Sequence, residues 1–167
     1  MMPSTKTFVP GPGTERDFRN ALGRFTTGVT VVTTSTANGP IGITVNSFAS
    51  VSMNPALVMW CPAKASSRYL HFAKAKHFAI HVMSEDQEDT ATGFAKSGQA
   101  FDGLDVSTNP HGVPLIGGCL ARFQCETTQT HDAGDHLIVV GQVTEATLRE
   151  GTALVFCMGK YGRFMGV

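Results

Sequence analysis

The sequence predicts a mainly β fold in which a small antiparallel barrel carries a few helical inserts. About seven short runs rich in Val, Ile, Thr and aromatic residues follow one another, and turn signals separate them at short intervals. Helical periodicity is confined to a few stretches between these runs. At 167 residues the chain has the length of one ordinary domain. A single closed barrel of six to seven antiparallel strands fits these observations.

The first element is predicted to be an amphipathic helix that precedes the barrel. Phe18, Leu22 and Phe25 recur at the spacing of one helix face between residues 15 and about 27. Thr14 is a residue type that caps helix starts, and a glycine stands just past the expected end. We therefore expect one helix before the first strand.

Strand signals dominate the next part of the chain. Residues 29–36 and 41–52 are β-rich, and Asn38-Gly39-Pro40 between them is a turn signal, so a hairpin is expected. Residues 56–61 form a continuous apolar run of strand length after the break at Asn54-Pro55. This run predicts a strand that is buried on both faces.

Two helical inserts and a long loop are predicted in the middle of the chain. Ser66-Ser67 resembles a helix cap before residues 68–74, and residues 85–96 are predicted to be helical as well. Between them, residues 78–83 predict another strand. Residues 98–118 contain five glycines and two prolines, so we expect a long loop that covers part of the molecule.

The last part of the chain returns to strands. Apolar and polar residues alternate over residues 119–126, which is the period of a half-buried strand. A turn is expected over residues 131–135, and residues 136–143 and 153–158 complete the set of strands. One domain is therefore predicted over residues 14–167.

Composition limits the partners and the location of the protein. Thirteen Lys and Arg residues balance thirteen Asp and Glu residues, so no positive field is available for a nucleic acid or an anionic membrane. The predicted domain follows a flexible polar segment at residues 1–13, and no apolar run reaches the about 18 residues of a membrane span. We expect a cytoplasmic protein. The charged share of only 16% indicates that a partner covers some surface.

Cysteine spacing and the usual motifs give no catalytic centre. The four cysteines form no C-x-x-C pair, so we expect buried free thiols. Dinucleotide-binding, P-loop, zinc-protease and serine-hydrolase fingerprints are missing from the sequence. Two imidazoles and two carboxylates do cluster over residues 131–136, where a metal site, a plain turn and a family role are open interpretations. Because no third ligand cluster accompanies them, we expect no metal.

Several segments together carry a resemblance to a known family. They are Phe18–Phe25 with Thr27–Val32, Gly42–Phe48, Ser66–Arg68, Phe94-Ala95 leading to Phe101–Gly103, Gly134–His136 and Gly159–Gly162. In their order and spacing the chain resembles the short-chain flavin reductase family, which contains the reductase components of two-component flavin monooxygenases. The resemblance covers nearly the whole chain after residue 16.

The resemblance implies both an architecture and a reaction. The architecture is an FMN-binding split barrel, a Greek-key barrel that forms a homodimer with flavin at the subunit boundary. The reaction is hydride transfer from NADH or NADPH to FMN, with FAD as a further possibility, and the reduced flavin then goes to a partner monooxygenase. Two alternatives stay open, namely a reductase of another bound substrate such as a corrinoid and a non-catalytic flavin-binding module.

Residues 42–52 hold the first candidate flavin contacts. Polar side chains alternate with apolar ones at Thr44, Asn46, Ser50 and Ser52, which indicates either a solvent-facing edge or a polar binding face. On the binding interpretation, hydrogen bonds reach the polar edge of the isoalloxazine, which gains negative charge on reduction. The residues predicted to make these contacts are Thr44, Val45, Asn46, Ser47 and Ser50.

The segment Ser66-Ser67-Arg68 is predicted to bind the flavin phosphate. Its two hydroxyls, the N–H groups of a first helical turn and a guanidinium are together suited to a phosphate. An ordinary helix cap is the alternative interpretation. Just before it, Cys61, Ala63 and Lys64 resemble the family's second flavin-contacting segment.

Four further candidates lie near the long loop and the C-terminus. Phe94 and Phe101 flank the loop and either bound the flavin or belong to the core. In the family, the Gly-Asp-His turn places its His where nicotinamide docks, which makes His136 the candidate catalytic residue. Tyr161 resembles the family's closing segment that approaches the active site, and a C-terminal anchor is the alternative.

Overall fold

The computed structural model describes residues 4–166, and most of its regular structure is β. Its helices are α1 (Glu15–Leu22), α2 (Tyr69–Ala73) and α3 (Glu88–Lys96), the last preceded by a 3-10 turn at Glu85–Gln87. Its strands are β1 (Thr27–Gly28), β2 (Thr30–Thr36), β3 (Gly39–Val45), β4 (Ala49–Met53), β5 (Ala56–Trp60), β6 (His77–Val82), β7 (Val106–Thr108), β8 (Pro114–Ile116), β9 (Ala121–Ala133), β10 (His136–Leu148), β11 (Leu154–Cys157) and β12 (Lys160–Arg163). Residues 1–3 of the predicted flexible segment and residue 167 of the predicted domain lie outside this range.

Seven strands form one antiparallel sheet in the order β3-β2-β6-β9-β10-β5-β4. β3 and β4 lie at its opposite edges, yet only residues 46–48 separate them in the sequence. Four residue steps span at most about 14 Å, whereas a flat sheet of seven strands would hold its edges about 29 Å apart. The sheet must therefore curl until β3 and β4 approach each other.

Two apolar clusters lie on opposite faces of β2. Because successive side chains point to opposite faces, Val32 packs inside the curl with Trp60, while Val31 packs outward. The outer cluster includes Phe94 of α3 and Leu154 of β11, which cover that face of the sheet. Burial on both faces explains why β2 consists of Val and Thr rather than of alternating apolar and charged residues.

α1 is shorter than the sequence predicts, and its apolar face is uncovered. It ends at Leu22 rather than near residue 27, because the chain turns at Gly23 and then pairs with β11 as β1. Within this chain Phe18, Leu22 and Phe25 are 44%, 58% and 79% exposed. The predicted helix exists, but its apolar side has no partner among the described residues.

The predicted strand over residues 41–52 is two strands. β3 ends at Val45 and β4 begins at Ala49, so Asn46 and Ser47 lie in the connection between the two edges of the sheet. The expectation of one continuous strand is wrong, because the curled sheet needs its chain to leave one edge and enter the other here.

Other segments also differ from the sequence expectations. The predicted loop at residues 98–118 contains the β7–β8 hairpin, and its segment Val113–Ile116 is buried. The predicted turn at residues 131–135 narrows to Gly134-Asp135, where Gly134 takes a φ of +67° that favours glycine. β12 adds an unpredicted strand that pairs with β11.

The cysteines are free, but only Cys125 is buried. Cys61, Cys119 and Cys157 are half-buried, so the expectation of four buried thiols is wrong for these three. Burial raises the pKa of the Cys125 thiol to about 12. None of the helices between residues 4 and 166 is long and apolar enough to cross a membrane.

Candidate functional site

Three adjoining cavities meet at Asn46, where the chain leaves β3, and we call them together the Asn46 groove. Their volumes are about 480, 180 and 570 Å³. Besides Asn46, their lining includes Phe25, Thr27, Thr44, Val45, Ser47, Phe48, Phe156 and Tyr161. The groove therefore brings together four of the five candidate residues of the β3 region, and Tyr161 with them. Ser50 lies outside these cavities, exposed on β4.

Hydroxyls at the groove are partly engaged within the protein. Thr44 Oγ1 donates to the carbonyl oxygen of Ala91 at 2.6 Å, which ties β3 to α3. Ser47 Oγ accepts from the N–H of Cys61 at 2.9 Å and donates to its carbonyl at 3.3 Å. Asn46 keeps an exposed side chain on the wall shared by the three cavities. The amide of Asn46 is thus the freest side-chain donor and acceptor of this strand.

One buried polar atom in the groove has no protein partner. Thr27 Oγ1 is buried and makes no hydrogen bond to the described residues, and Thr27 lines the two larger cavities. Buried hydroxyls usually find a partner, so Thr27 Oγ1 is an exception among the described residues. Cys61, whose N–H bonds to Ser47 Oγ, carries a half-buried thiol. Burial raises the pKa of this thiol, which keeps it protonated.

A second cluster joins the segment after β5 to the β9–β10 turn. Lys64 Nζ donates to Asp132 Oδ1 and, at 2.6 Å, to the carbonyl of Gly134. The Lys64 N–H donates to the carbonyl of Asp135 at 2.8 Å, and Ala63 forms a β-bridge with His136. The hydrogen bond to Asp132 raises the pKa of Lys64. His136, which is distant in sequence from the adjacent residues Ala63 and Lys64, therefore lies beside them.

The ring of His136 is held by its neighbour in the sequence. His136 Nδ1 lies 2.7 Å from Asp135 Oδ1, and this contact lowers the pKa of Asp135. If Nδ1 carries the proton in this bond, Nε2 is left to face a ligand. The side chain of His136 is 44% exposed, so it is accessible at the tip of the hairpin.

Arg68 makes structural contacts that the sequence did not predict. Its Nη1 donates to the carbonyls of Gly42 at 3.0 Å and Phe94 at 2.5 Å, and its Nη2 donates to Ala95 at 3.2 Å. A guanidinium has five N–H donors, so two remain for a ligand. Partial burial lowers the pKa of Arg68.

The predicted cap at Ser66-Ser67 is a turn that precedes the helix. α2 begins at Tyr69 with Arg68 in the cap position, and Ser66 Oγ accepts from the N–H of Arg68 at 3.2 Å. Ser67 is exposed. The expectation that the helix starts at residue 68 under a serine cap is therefore wrong, because the hydrogen bond from Tyr69 N–H to the Ser66 carbonyl forms a turn first.

Phe94 is a core residue in this structure. It is 0% exposed, and its ring lies 2.6 Å from the place where a side chain at Gly42 would begin. Gly42 thus lets α3 approach β3 closely, and no face of Phe94 is left for a flavin. Phe101 packs on Phe94 with ring centroids 4.8 Å apart and is half-buried in the same outer cluster. We leave Phe94 out of the site as a correction.

Sequence reasoning missed several residues that line the groove. Phe25, Thr27 and Phe156 reach it because the three-stranded sheet β1-β11-β12 lies beside β3. Phe25 and Thr27 stand in segments that carry the family resemblance, but nothing in those segments marked them as flavin contacts, and Phe156 lies in no such segment. Within residues 4–166, no group of three or more His, Cys, Asp and Glu side chains is placed to hold a metal ion.

Comparison with known proteins identifies the family. The sequence profile described as "Flavin reductase like domain" matches residues 22–165. The chain is 58% identical over 163 residues to "FMN reductase (NADH) SmoA" of Agrobacterium fabrum strain C58, and the match covers 98% of this chain and 94% of the relative. It is 36% identical over 148 residues to "Flavin-dependent monooxygenase, reductase subunit HsaB" of Rhodococcus jostii strain RHA1, covering 87% of this chain and 76% of the relative.

A solved structure agrees with the sequence comparisons. It is "Streptomyces globisporus C-1027 NADH:FAD oxidoreductase SgcE6 in complex with NAD and FAD fragments", with a TM-score of 0.85 and 35% identity over 95% of this chain and 98% of that chain. The resemblance carried by the short segments is confirmed, and the chain belongs to the flavin reductase like domain family.

Proposed function

We propose that this chain is an NADH:flavin oxidoreductase that transfers a hydride to FMN or FAD and supplies the reduced flavin to a partner monooxygenase. The observation that carries the proposal is the Asn46 groove, which gathers residues from the segments that carry the family resemblance. The names of the relatives agree with it, since SmoA is an FMN reductase that uses NADH and HsaB is the reductase subunit of a flavin-dependent monooxygenase. NADPH is the alternative donor.

The groove suits a flavin in size and in chemistry. Its larger cavities, about 480 and 570 Å³, lie in the roughly 300–1,000 Å³ range of cofactor sites. Phe25, Phe48 and Phe156 supply apolar and aromatic walls, while the exposed side chain of Asn46 supplies a polar group. A flat ring system with one polar edge needs this combination. Bound flavin supplies the acceptor for the nicotinamide hydride.

Residues around the groove orient the ring rather than react with it. Asn46 offers an amide to the heteroatom edge, and Val45 with Tyr161 bounds the smallest cavity. Thr44 and Ser47 act through hydrogen bonds that fix β3 against α3 and against Cys61. A polar edge held by preorganised groups stabilises the charge that develops there. Ser50 adjoins the groove through Ala49, the residue before it on β4, which lines the largest of the three cavities.

The flavin phosphate is assigned to the turn before α2. Ser67 is exposed, and two guanidinium N–H groups of Arg68 are not used by protein carbonyls. Arg68 also reaches Ala95, which lines the smallest groove cavity, so this turn adjoins the groove. A phosphate here would gain charge-assisted hydrogen bonds.

The nicotinamide is assigned to the hairpin tip that carries His136. Lys64 fixes this tip from one side and Asp135 fixes the ring of His136 from the other. Two contacts connect the hairpin tip to the groove. Ser47, which lines the groove, accepts a hydrogen bond from the N–H of Cys61, and Ala63, two residues later, forms a β-bridge with His136. We propose that His136 Nε2 contacts the nicotinamide amide and orients its ring toward the flavin.

We also propose the finer architecture that the family resemblance implies, a split barrel that forms a homodimer. The edge-to-edge curl of the seven-stranded sheet supports the barrel. The exposed apolar side chains on α1 and just after it support the dimer, because two of them, Leu22 and Phe25, also line the groove. A cytoplasmic location, where NADH is available, stays a prediction from the sequence.

The reaction is tested by NADH oxidation with purified protein and either FMN, FAD or riboflavin. We expect flavin-dependent NADH consumption, with FMN used better than riboflavin because the turn before α2 binds the phosphate. NADPH in place of NADH measures the donor preference. Flavin binding without NADH turnover would contradict the proposal and favour the non-catalytic module. Turnover that requires a corrinoid would favour the other alternative.

A further inference from the structure

A second cavity lies away from the Asn46 groove, at the other end of β2. It has a volume of about 340 Å³ and is formed by the end of β2, by α2, by the start of β6 and by the loop before β8. Thr30 at the start of β2 lines the groove, and Thr36 at its end lines this cavity. A strand of this length separates its two ends by about 20 Å. The two sites are therefore distinct.

The titratable side chains that line this cavity are all basic. They are His71, Lys74, Lys76, His77 and His111. No Asp or Glu from residues 4–166 is among its lining residues, although the chain has as many acidic as basic residues. One carboxylate, Glu126, lies 3.8 Å from Lys76 at the rim, where the lysine side chain is 74% exposed. Such a concentration of one charge sign in a concave site attracts anions.

Two of these residues form a fixed imidazole stack. The rings of His77 and His111 lie 3.8 Å apart at an interplanar angle of 4°. His77 is held on β6, and the turn of His111 is held by Asn109 Oδ1, which accepts from the N–H groups of His111 at 2.9 Å and Val113 at 3.0 Å. Hydrogen bonds therefore hold the backbone on both sides of the stack.

The surroundings of His77 oppose its protonation. Burial lowers the pKa of His77. The neighbouring His111 and Lys76 lower this pKa further, whereas Glu126 raises it. The other charged or titratable groups that line the cavity are His71 and Lys74 on α2. A bound anion favours the positive form of a nearby imidazole. Anion binding and proton uptake at this stack are therefore linked, and each strengthens the other.

We propose that this cavity binds a phosphate group, supplied either by inorganic phosphate or by a nucleotide. Phosphate has several acceptor oxygens, so it can take charge-assisted hydrogen bonds from lysines and imidazoliums on different walls at once. The exposed Ser35 hydroxyl adds a neutral donor, and Leu70 with Val113 adds an apolar wall. The site goes beyond the flavin reaction, and its occupation does not require that reaction.

Isothermal titration calorimetry with inorganic phosphate, ADP and sulfate at about pH 6 and pH 8 tests the proposal. We expect all three anions to bind at the lower pH and to bind at least about threefold more weakly at the higher pH. Sulfate keeps its charge over this pH range, so any change in its affinity with pH reports protonation of the protein alone. Equal affinity for phosphate and ADP indicates inorganic phosphate as the ligand, and tighter ADP binding indicates a nucleotide.

Matched variants locate the binding. Lys74→Gln and His111→Gln should each weaken sulfate and phosphate roughly tenfold at the lower pH. Lys96→Gln on α3 and His131→Gln on β9, both outside the cavity, should leave binding within about twofold of the wild type. NADH:flavin turnover should be unchanged in Lys74→Gln and His111→Gln, with circular dichroism confirming their fold. No detectable anion binding, or equal binding by cavity and control variants, would overturn the proposal.

Discussion

The imidazole of His81 joins β6 to β2 and to β8 at the scale of single residues. It is 0% exposed on β6, with Nδ1 2.9 Å from the carbonyl oxygen of Val31 and Nε2 3.0 Å from the N–H of Ile116. One nitrogen must donate and the other must accept, so only the neutral ring with its proton on Nδ1 satisfies both. Burial accordingly lowers the pKa of His81 to about 4.

This shift predicts a loss of stability in acid. The unfolded chain takes up a proton near pH 6.5, whereas the folded chain resists it until about pH 4, so the free energy of unfolding falls as the pH drops through this window. The loss from His81 amounts to about 3 kcal/mol at the low end. Urea unfolding of the wild type at successive pH values measures it.

A variant separates His81 from other acid effects. His81→Gln should be less stable at neutral pH by about 1–3 kcal/mol, because one of its two backbone partners loses its bond. Its stability should also depend less on pH between about 6.5 and 4. His131→Gln, which changes an exposed histidine, should keep the slope of the wild type. The same slope in all three proteins would rule out His81 as the cause.

His136 is the residue with the most direct proposed role in the reaction. Its replacement by alanine removes one oriented polar contact to the nicotinamide, which costs about 1–2 kcal/mol, or roughly 5- to 30-fold in kcat/KM for NADH. Flavin affinity should change much less, because His136 lines none of the three groove cavities. Steady-state kinetics with NADH and flavin fluorescence titration measure the two effects. Unchanged kinetics would show that His136 is only a turn residue.

At the scale of helices and strands, charged side chains hold the candidate site together by donating to backbone carbonyls. Arg68 ties the start of α2 to β3 and to the end of α3 through three carbonyls. Arg68→Ala should therefore lower the free energy of unfolding by about 1.5–3 kcal/mol, which urea unfolding measures. If its two remaining N–H groups bind the phosphate, the ratio of FMN to riboflavin affinity should also fall.

Two companion variants distinguish these roles of Arg68. Ser67→Ala should reduce FMN affinity with a change in stability below about 0.5 kcal/mol, because this hydroxyl is exposed. Arg68→Lys keeps the charge but loses the planar fork that reaches three carbonyls. An Arg68→Ala protein that is less stable yet keeps the wild-type FMN to riboflavin ratio would leave Arg68 a structural role only.

Lys64 connects two other elements, the end of β5 and the β9–β10 hairpin. Exposed ion pairs contribute little to stability, so Lys64→Ala should lower it by less than about 1 kcal/mol. We expect kcat/KM for NADH to fall about three- to tenfold, because the tip that carries His136 loses its support. Asp132→Ala should share this effect, so the double variant is no worse than either single one.

An exposed pair elsewhere serves as the control for Lys64. Lys6 contacts Asp17 at 2.6 Å with its side chain 68% exposed, far from the hairpin in the sequence. Lys6→Ala should match the small stability change of Lys64→Ala without changing NADH kinetics. Loss of NADH activity in Lys6→Ala as well would show that the effect of Lys64 is not specific to the hairpin.

Local patterns predicted most elements but few of their boundaries. The strands β2 and β9 were both expected, but burial supports only the pattern of β2, because on β9 only Cys125 is buried and burial does not alternate. The break at Asn46 was missed. Asn and Ser are common in turns, but Asn46 and Ser47 stand within a β-rich run, and the break arises from closure of the sheet. β12 was missed for a similar reason, because its four residues become a strand only by pairing with β11.

The candidate site was predicted only where it coincides with family segments. Thr44 to Ser47, Lys64 and His136 were identified from their motifs, and the structure brings them into two connected clusters. Phe156 carries no motif and reaches the groove through the pairing of β11 with β1, over a long sequence separation. Phe25 belongs to a family segment, but the sequence did not mark it as a flavin contact. The three carbonyl partners of Arg68 were also beyond local patterns, because they come from β3 and α3.

The whole molecule leaves an apolar surface next to its groove. Phe18, Leu22 and Phe25 are exposed, and the last two also line the groove, so a second copy packed on α1 would cover apolar area and close the flavin site together. Light scattering at micromolar concentration should therefore give the mass of a dimer. Leu22→Lys should shift it toward monomer and weaken FMN binding in parallel, by roughly tenfold or more.

A second exposed apolar residue provides the control for this dimer prediction. Val106 lies on β7, and Val106→Lys should leave both the dimer mass and FMN affinity unchanged. Diluting the wild type below its dimer dissociation constant should lower FMN affinity in the same proportion as Leu22→Lys does, because both act by exposing the groove. A wild-type monomer with full reductase activity would contradict the dimer. A Leu22→Lys dimer with weakened FMN binding would place the interface on another face and leave Leu22 as a groove residue alone.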